Sequence, residues 1–294
     1  MITKAVIPVA GNGTRFLPIT KAISKEMLPI VDIPCLLLIL KECADSGIKE
    51  VLLVTKPEKK DIKKFFSIDQ ALNEKLQKEG KGHLVELLND VLSKIKITYR
   101  NQRAGTIGSA GAVYVAKNWA KGEPFAVLYG DDINYTGVNR PAIGQLIDCY
   151  NKYGKMVLGC KEVNASEVYK YGATVIERKV GDNAYEISGV VEKPKPGTQP
   201  SNLVSLARYI MPKDTFSYIK RQLDADRDTT KEICLTDTMD MIMKDKGNAI
   251  ACVMDSVRYD TGDKFGYLTA VVDYALRDKN LGNKFKDYLK SLNL

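Results

Sequence analysis

The sequence predicts an α/β protein whose sheet begins with parallel strands and continues as a mixed or antiparallel sheet. In the first half of the chain, short apolar strand candidates alternate with stretches of helical spacing, an order typical of parallel sheets. From Met156 onward, strand candidates follow one another with only turn residues between them, which favours antiparallel pairing. No linker, repeat or low-complexity segment divides the 294 residues. We therefore expect one α/β domain with a smaller appended region.

The first half is expected to supply four strands and two helical regions. Its strand candidates are the apolar runs at 6–10, 50–55, 95–99 and 125–129. Residues 34–46 predict a helix that ends at Gly47, because glycine commonly follows the last turn of a helix. Residues 69–95 predict a long polar insertion of helical character, interrupted by Gly80 and Gly82.

The second half is expected to supply further strands and then helices. Turn residues separate strand candidates at 156–159, 173–176, 185–192 and 203–211, and a last strand candidate lies at 249–254. Amphipathic spacing predicts helices over 214–223, 236–244, 264–277 and 283–292. Most of these helices follow the strands, so we expect the end of the chain to form the appended helical part.

Composition limits the chemistry that this chain can perform. The 44 Lys and Arg residues outnumber the 36 Asp and Glu residues, but the excess is scattered, which favours anionic small molecules over nucleic acid. Six cysteines lie far apart without a Cys-x-x-Cys pair, and the single histidine, His83, lies in a charged stretch typical of a solvated helix. Chemistry must therefore come from carboxylates, lysine, arginine, backbone amides or a metal.

No segment has the pattern of a membrane span or a secretion signal. The best apolar candidate, 27–40, is interrupted by Pro29, Asp32 and Pro34 and falls short of the roughly 20 residues a span requires. The start of the chain lacks the apolar core and cleavage site of a signal peptide. We expect a cytoplasmic protein with no membrane and no nucleic-acid partner.

The loop Val9-Ala10-Gly11-Asn12-Gly13-Thr14-Arg15, after the first strand, has the composition of a phosphate-binding loop. Glycine permits a tight turn that brings backbone amides close to a base or phosphate, and arginine offers a planar fork of donors. The chain has Phe16 where a dinucleotide fingerprint needs glycine, and it has no Walker lysine. On these residues alone, an ordinary strand-to-loop turn is the alternative.

Acidic residues follow two strand candidates and suggest a metal site. Asp131 and Asp132 come after the buried run 125–129, at the end where such a sheet opens its ligand crevice. Adjacent residues of an extended segment point in opposite directions, so only one can face the crevice, and Asp131 is the first candidate. Asp260 is the second, whereas Asp263 is expected to cap a helix. A capped turn is the alternative explanation of the aspartate pair.

Residues 11–29 carry the pattern G-x-G-T-R-x-x-P-x-T-K-x-x-x-K-E-M-L-P. This pattern resembles the signature loop of bacterial UTP-glucose-1-phosphate uridylyltransferases, within the sugar-phosphate nucleotidyltransferase superfamily. The resemblance continues through the insertion after Phe66 and through 191–194, 232–237 and 262–289. It implies the nucleotidyltransferase fold, a Rossmann-like mixed sheet flanked by helices with a smaller sugar-binding and C-terminal helical region. It also implies a single domain over 1–294, with 1–150 mainly nucleotide-binding, 151–262 mainly sugar-binding and 263–294 forming C-terminal helices.

The resemblance implies a nucleotide site on the first loop and on a second loop near residue 105. Arg15 and Lys25 would hold the triphosphate of UTP, and Gln102 would read the uracil edge together with Gly108. The remaining backbone contacts to uracil would come from Ala10, Gly11 and Gly13. The second loop departs from the family pattern, because one extra residue separates the glutamine from the glycine.

The resemblance also implies a sugar site and a shared Mg²⁺ site. Gly172, Glu192 and Lys193 would bind the sugar phosphate, with Lys193 also acting in catalysis alongside Arg15, Lys25 and Asp131. Asp131 and Asp260 would together ligate Mg²⁺. Cys234 stands where the family has glutamine, so a hydrogen bond made there in relatives is missing in this chain.

The implied reaction joins UTP and glucose 1-phosphate to give UDP-glucose and pyrophosphate. A phosphomonoester has a second pKa of ~6, so the attacking oxygen is already anionic at neutral pH and needs no side-chain base. Another sugar-phosphate nucleotidyltransferase, such as a thymidylyltransferase, is one alternative, and a non-catalytic sugar-nucleotide-binding regulator is another. Relatives form homodimers or homotetramers, so we expect a homo-oligomer.

Overall fold

The protein is described here by a computed structural model covering residues 1–102, 108–225 and 232–292. The strands in these residues are β1 (Lys4–Pro8), β2 (Pro29–Ile30), β3 (Ile33–Pro34), β4 (Glu50–Thr55), β5 (Lys96–Asn101), β6 (Phe125–Leu128), β7 (Asp132–Tyr135), β8 (Val157–Glu162), β9 (Gly172–Gly181), β10 (Ala184–Glu192), β11 (Leu203–Met211), β12 (Ala249–Val253) and β13 (Val257–Asp260). The α-helices are α1 (Cys35–Asp45), α2 (Lys60–Phe65), α3 (Gln70–Lys78), α4 (Glu86–Lys94), α5 (Ser109–Tyr114), α6 (Lys117–Ala120), α7 (Ala142–Tyr153), α8 (Thr215–Ala225), α9 (Leu235–Lys246), α10 (Lys264–Arg277) and α11 (Gly282–Ser291).

Within the described residues, one nine-stranded sheet runs through both halves of the chain in the order β5-β4-β1-β6-β11-β8-β12-β10-β9. The strands β5, β4, β1 and β6 are parallel to their neighbours. The sheet changes direction at β11, which is antiparallel to both β6 and β8. Beyond it, β12 is parallel to β8, while β10 is antiparallel to β12 and β9. The predicted α/β fold with a mixed sheet is therefore confirmed.

Both faces of the parallel part of the sheet are buried. Along β1, Ala5 and Ile7 pack into one apolar cluster, while Val6 packs into the cluster on the opposite face. The neighbouring β4 alternates in the same way. Helices cover both faces, which explains why these strands read as continuous apolar runs. Among the described helices, none combines the length and apolar character needed to cross a membrane.

Several element bounds match the sequence prediction and others differ. The segments 50–55, 203–211 and 264–277 have the predicted bounds. The first strand begins two residues before the prediction, because Lys4 is 4% exposed and its ammonium pairs with Glu123 at 2.7 Å. The polar insertion is helical as predicted, and it divides at Gly80, whose φ is 69°.

The sequence analysis assigned no element to α7 or to β7, and it expected a strand at Asp260, where β13 lies, without giving its bounds. Helix α7 packs Ile143, Leu146 and Ile147 into the core. The small sheet is antiparallel and pairs Asp132 with Asp260 across more than a hundred residues of sequence. This pairing places the two candidate acidic segments side by side at one edge of the molecule.

A buried arginine connects the two halves of the chain. Arg208, in β11, has no exposed surface, and its guanidinium meets the Glu42 carboxylate of α1 at 3.0 and 2.8 Å. The same guanidinium donates to the Asp132 carbonyl at 2.6 Å and lies 3.7 Å from the Asp132 carboxylate. Glu42 also accepts a hydrogen bond from the Ile143 amide at 2.9 Å. One charged cluster therefore fixes α1, β7, α7 and β11 relative to one another.

We expect Arg208→Met to lower the free energy of unfolding by about 3–5 kcal/mol, because it leaves the buried Glu42 carboxylate without its cation. Urea unfolding followed by circular dichroism measures this loss. Arg140→Met is the matched control, since Arg140 pairs with Asp148 at the surface and should change stability by less than about 1 kcal/mol. Equal losses of unfolding free energy in the two variants would contradict the conclusion that Arg208 stabilises the fold.

Candidate active site

A cavity of about 600 Å³ lies at the edge of the sheet where β1 and β6 end. Its wall combines charged and backbone groups from both halves of the chain. The predicted site residues on this wall are Gly13, Arg15, Lys25, Asp131, Gly172, Glu192 and Asp260. Since separate predictions from distant segments meet in one place, the cavity is the candidate active site.

The first loop folds back on itself so that Lys25 lies under its glycines. Gly13 has a φ of 65°, and its carbonyl accepts a hydrogen bond from the Thr20 hydroxyl at 2.8 Å. A Cβ at Gly11 would lie 3.3 Å from Cε of Lys25, so a side chain there would crowd the lysine. Lys21, in the same loop, is exposed and lies outside the cavity wall.

Two ion pairs hold this loop in place. The Lys25 ammonium pairs with the Asp131 carboxylate, and although burial alone would lower the pKa of Lys25, this carboxylate raises it. The next residue, Glu26, is 1% exposed and accepts a hydrogen bond from Lys59 at 2.7 Å. Burial raises the pKa of Glu26 and lowers that of Lys59, while each group opposes the shift of the other. Sequence reasoning did not identify this second pair.

Helix α2 fixes the loop from a further direction. The Asp61 carboxylate accepts hydrogen bonds from the Ser24 amide at 2.6 Å and from the Ser24 hydroxyl at 2.7 Å. Asp61 and Lys59 therefore bind the residues on either side of Lys25. This anchoring limits the positions that the Lys25 ammonium can reach.

Asp131 and Asp260 face a common point in the cavity. A Cβ built on Gly262 would lie 2.6 Å from Oδ2 of Asp131 and 3.1 Å from Oδ1 of Asp260. Burial raises the pKa of Asp260, which Arg258 opposes and the carboxylates of Asp132 and Asp131 reinforce. The two carboxylates repel each other, and the Lys25 ammonium beside Asp131 offsets part of their charge.

The donor set of this point fits Mg²⁺. Both groups are carboxylates, and Mg²⁺ usually takes one or two carboxylates together with waters and substrate phosphates. In the part of the chain that the structure describes, no group of three or more histidine, cysteine, aspartate or glutamate side chains has metal-site geometry. Asp131 and Asp260 would therefore hold the ion only in company with phosphate oxygens.

The neighbouring aspartates have different surroundings. Asp132 is 2% exposed and accepts hydrogen bonds from Arg258 at 2.6 Å and from Asn134 at 3.0 Å. Its carboxylate is therefore already compensated. Asp263 caps α10 as predicted, because its carboxylate accepts hydrogen bonds from the amides of Phe265 and Gly266.

The sugar-side predictions come together only in part. Glu192 ends β10, and a Cβ on Gly172 would lie 2.8 Å from Cγ1 of Val190 and 3.2 Å from Oε2 of the Glu192 carboxylate, so a larger residue would not fit beside these side chains. Lys193 is exposed with a φ of 45°, and its amide donates to the Tyr171 carbonyl at 2.9 Å. Its side chain does not border the cavity.

Tyrosine and serine hydroxyls, which sequence reasoning missed, also border the cavity. Tyr129 and Tyr209 pack edge to face with ring centres 6.1 Å apart. Burial raises the pKa of Tyr129 to about 12, so its hydroxyl remains a hydrogen-bond donor at neutral pH. The strand predictions contain these tyrosines, but the pattern alone gave no sign of which face they occupy.

The predicted uracil-reading residues lie at the same sheet edge but not on the cavity wall. The Gln102 amide group donates to the Gly108 carbonyl at 3.5 Å, and Gln102 follows β5 directly. Gly108 has a φ of 99°, and a Cβ there would lie 2.5 Å from the Ile233 carbonyl. Ala10 is buried and Gly11 is exposed. The one-residue insertion of this loop lies within 103–107, outside the described residues.

Comparison with known proteins places the chain in a family. The family model described as Nucleotidyl transferase matches residues 4–276. The chain is 39% identical to UTP–glucose-1-phosphate uridylyltransferase 2 of Staphylococcus saprophyticus, over 100% of this chain and 99% of that protein. It is 38% identical to a UTP–glucose-1-phosphate uridylyltransferase of Staphylococcus epidermidis, with the same coverage.

Solved structures agree with this comparison. The UTP-bound UGPase from Acinetobacter baumannii has a TM-score of 0.88 at 30% identity, covering 99% of this chain and 100% of that chain. A UDP-glucose pyrophosphorylase complexed with UDP-glucose has a TM-score of 0.84 at 32% identity, covering 95% and 100%. The chain therefore belongs to the nucleotidyl transferase family, in the group of the UTP–glucose-1-phosphate uridylyltransferases.

Proposed function

We propose that this chain transfers the uridylyl group of UTP to glucose 1-phosphate, releasing pyrophosphate and forming UDP-glucose. The observation that carries the proposal is the meeting of four charged groups, Arg15, Lys25, Asp131 and Asp260, with Glu192 around one cavity. The names of its relatives, and the UTP and UDP-glucose complexes among its structural neighbours, support the same substrates.

The first loop would bind the nucleotide. Arg15 is exposed, and its guanidinium donates to the Gly262 carbonyl at 3.3 Å, which turns the fork toward the carboxylate pair. Lys25 lies beside Asp131 and would hold a phosphate of the triphosphate as a point charge. Uracil contacts would come from the backbone of Ala10, Gly11 and Gly13 and from Gln102 with Gly108, because an amide side chain offers both a donor and an acceptor.

The second half would bind the sugar phosphate. The Glu192 carboxylate can accept hydrogen bonds from vicinal hydroxyls, and the backbone of Gly172, beside that carboxylate, would supply a further contact to the sugar. Lys193 would reach the phosphate with its ammonium. This assigns residues 1–150 mainly to the nucleotide, 151–262 mainly to the sugar and 263–294 to C-terminal helices.

The reaction needs alignment and charge neutralisation rather than a base. A phosphate oxygen of glucose 1-phosphate is already ionised, attacks the α-phosphorus of UTP, and displaces pyrophosphate as the bond to the β-phosphate breaks. Arg15, Lys25 and Lys193 hold two mutually repelling anions in position. When bound by Asp131 and Asp260, Mg²⁺ supplies further positive charge to the phosphates.

Location and assembly complete the proposal. UTP and sugar phosphates are intracellular metabolites, which supports a cytoplasmic location. A homodimer or homotetramer is supported by exposed apolar side chains on the first loop and on α10, including Leu17, Phe265 and Leu268 at 55%, 76% and 58% exposure. An exposed apolar surface of this kind is typical of a protein contact.

Pyrophosphate release tests the proposed function directly. We expect the highest kcat/KM with UTP and glucose 1-phosphate in a panel of UTP, dTTP, CTP and ATP against the 1-phosphates of glucose, galactose and mannose. A preference for dTTP would identify a thymidylyltransferase instead. UTP binding without pyrophosphate release from any pair would identify a regulator, and either result would refute the proposal.

The variant Lys25→Ala should lower kcat by at least about 100-fold, since it removes a fixed positive charge from the reacting phosphates. Stopped assays of pyrophosphate release give the rate, and the melting temperature reports on folding. Lys21→Ala is the matched control, because Lys21 belongs to the same loop but lies outside the cavity wall. Comparable losses in both variants would show that loop charge in general, rather than Lys25, supports turnover.

The variant Gly262→Ala should lower kcat by about 10- to 100-fold, because its methyl group would force Asp131 and Asp260 out of position. Steady-state kinetics measure the effect. The control Gly189→Ala adds the same methyl group to β10, where its nearest neighbour is the side-chain oxygen of Asp240 at 3.2 Å. Unchanged turnover in Gly262→Ala would exclude the Gly262 cradle as the place where the two carboxylates act.

A further inference from the structure

Arg258 lies beside the candidate metal site without belonging to it. It precedes Asp260 by two residues in β13, so the two side chains share one face of the strand. The Arg258 guanidinium lies 3.6 Å from the Asp260 carboxylate, and its Nε donates to Asp132 at 2.6 Å. The side chain is 16% exposed and borders the cavity.

The same guanidinium contacts the sugar side of the cavity through its face. Its Cζ lies 5.5 Å from the ring centre of Tyr171, a distance typical of a cation–π contact. Tyr171 directly precedes Gly172, and its carbonyl accepts a hydrogen bond from the Lys193 amide at 2.9 Å. Arg258 therefore contacts the residue that precedes Gly172 and is hydrogen-bonded to Lys193.

The position of Arg258 is itself fixed by contacts in the interior of the protein. Its partner Asp132 is fixed by Arg208, which donates to the Asp132 carbonyl at 2.6 Å. The carboxylates of Asp132 and Asp260 already compensate the Arg258 charge. These surroundings suit a residue that positions its neighbours better than a residue that binds substrate. Lysine could supply the charge, but its ammonium lacks a planar face and a fork of donors.

We propose that Arg258 is a positioning residue that couples the sugar-phosphate site to Asp260. The edge of its guanidinium fixes the position of the Asp260 carboxylate, and the face fixes the position of the Tyr171 ring. Ordering either of these groups therefore orders the other. The consequence is that glucose 1-phosphate tightens cation binding at Asp131 and Asp260, and the cation tightens glucose 1-phosphate binding by the same factor. This inference rests on the proposed function and extends it to communication between the two substrate sites.

The test measures this coupling without turnover. The protein is saturated with a UTP analogue that has a methylene bridge between its α- and β-phosphates, and Mn²⁺ affinity is measured by electron paramagnetic resonance with and without glucose 1-phosphate. Calorimetry in the presence of a chelator gives the glucose 1-phosphate affinity in the absence of metal. In the unmodified protein we expect glucose 1-phosphate to tighten Mn²⁺ binding by about 5- to 150-fold.

Two variants distinguish the ion pair made by the edge of the Arg258 guanidinium from the ring contact made by its face. Arg258→Lys should weaken Mn²⁺ binding and reduce the coupling toward onefold. Tyr171→Leu removes the stacked ring alone, so it should reduce the coupling while Mn²⁺ affinity without glucose 1-phosphate stays unchanged. In the control Arg178→Lys, the exposed side chain of Arg178 on β9 pairs with the buried Glu186 on β10, away from the cavity wall, so both quantities should stay unchanged.

The outcomes are distinguishable from one another. Full coupling in either Arg258→Lys or Tyr171→Leu would overturn the inference, as would an equal loss in Arg178→Lys. If Arg258→Lys has a markedly lower melting temperature, Tyr171→Leu decides the result, because that variant retains the Arg258 ion pairs. Pyrophosphate release by the unmodified protein is measured first, so a failure of the proposed function is detected independently of the coupling.

Discussion

The buried ion pair between Arg208 and Glu42 is the constraint on which the rest of the structure depends. Arg208 is wholly buried and Glu42 nearly so, and an uncompensated charge in either place would cost several kcal/mol. Helix α1 and strand β11 can therefore pack in essentially one arrangement. Since Arg208 also binds the backbone and side chain of Asp132, this arrangement determines where the chain leaves β6. Asp131, one residue earlier, is thereby directed toward the cavity.

Charges of alternating sign continue from this pair to the cavity surface. Glu42, Arg208, Asp132, Arg258 and Asp260 follow one another through contacts of 2.6 to 3.7 Å. Each inner residue of this series has a partner of opposite charge on either side. Asp260, at the outer end of the series, has Arg258 as its partner. Burial and the nearby carboxylates of Asp132 and Asp131 raise the pKa of Asp260 at the cavity, which Arg258 opposes. An interior series of ion pairs thus ends in a carboxylate on the cavity wall.

Local sequence patterns predicted the large strands because those strands are buried on both faces. The runs 50–55 and 203–211 are apolar enough to be recognised, and the second conceals Arg208, whose pairing with Glu42 spans 166 residues. Strand β7 has four residues and begins with a charged side chain, so its pattern resembles a loop. Asp131 and Asp260 were identified individually from motifs. That they face one point depends on the pairing of β7 with β13, which no local pattern encodes.

The absence of a histidine from the cavity wall follows from the chemistry that the fold supports. His83 is exposed in the helical insertion, and the polar groups of the wall in the described residues include cations, carboxylates, hydroxyls and backbone groups. A phosphate anion attacking phosphorus needs no proton removed, so the protein gains more from fixed charges than from a titrating base. Fixed charges act only where their positions are enforced. Three ion pairs provide this: Lys25 with Asp131, Lys59 with Glu26, and Arg208 with Glu42. In this chain the ion pairs of the interior and the charges of the cavity are therefore parts of one arrangement.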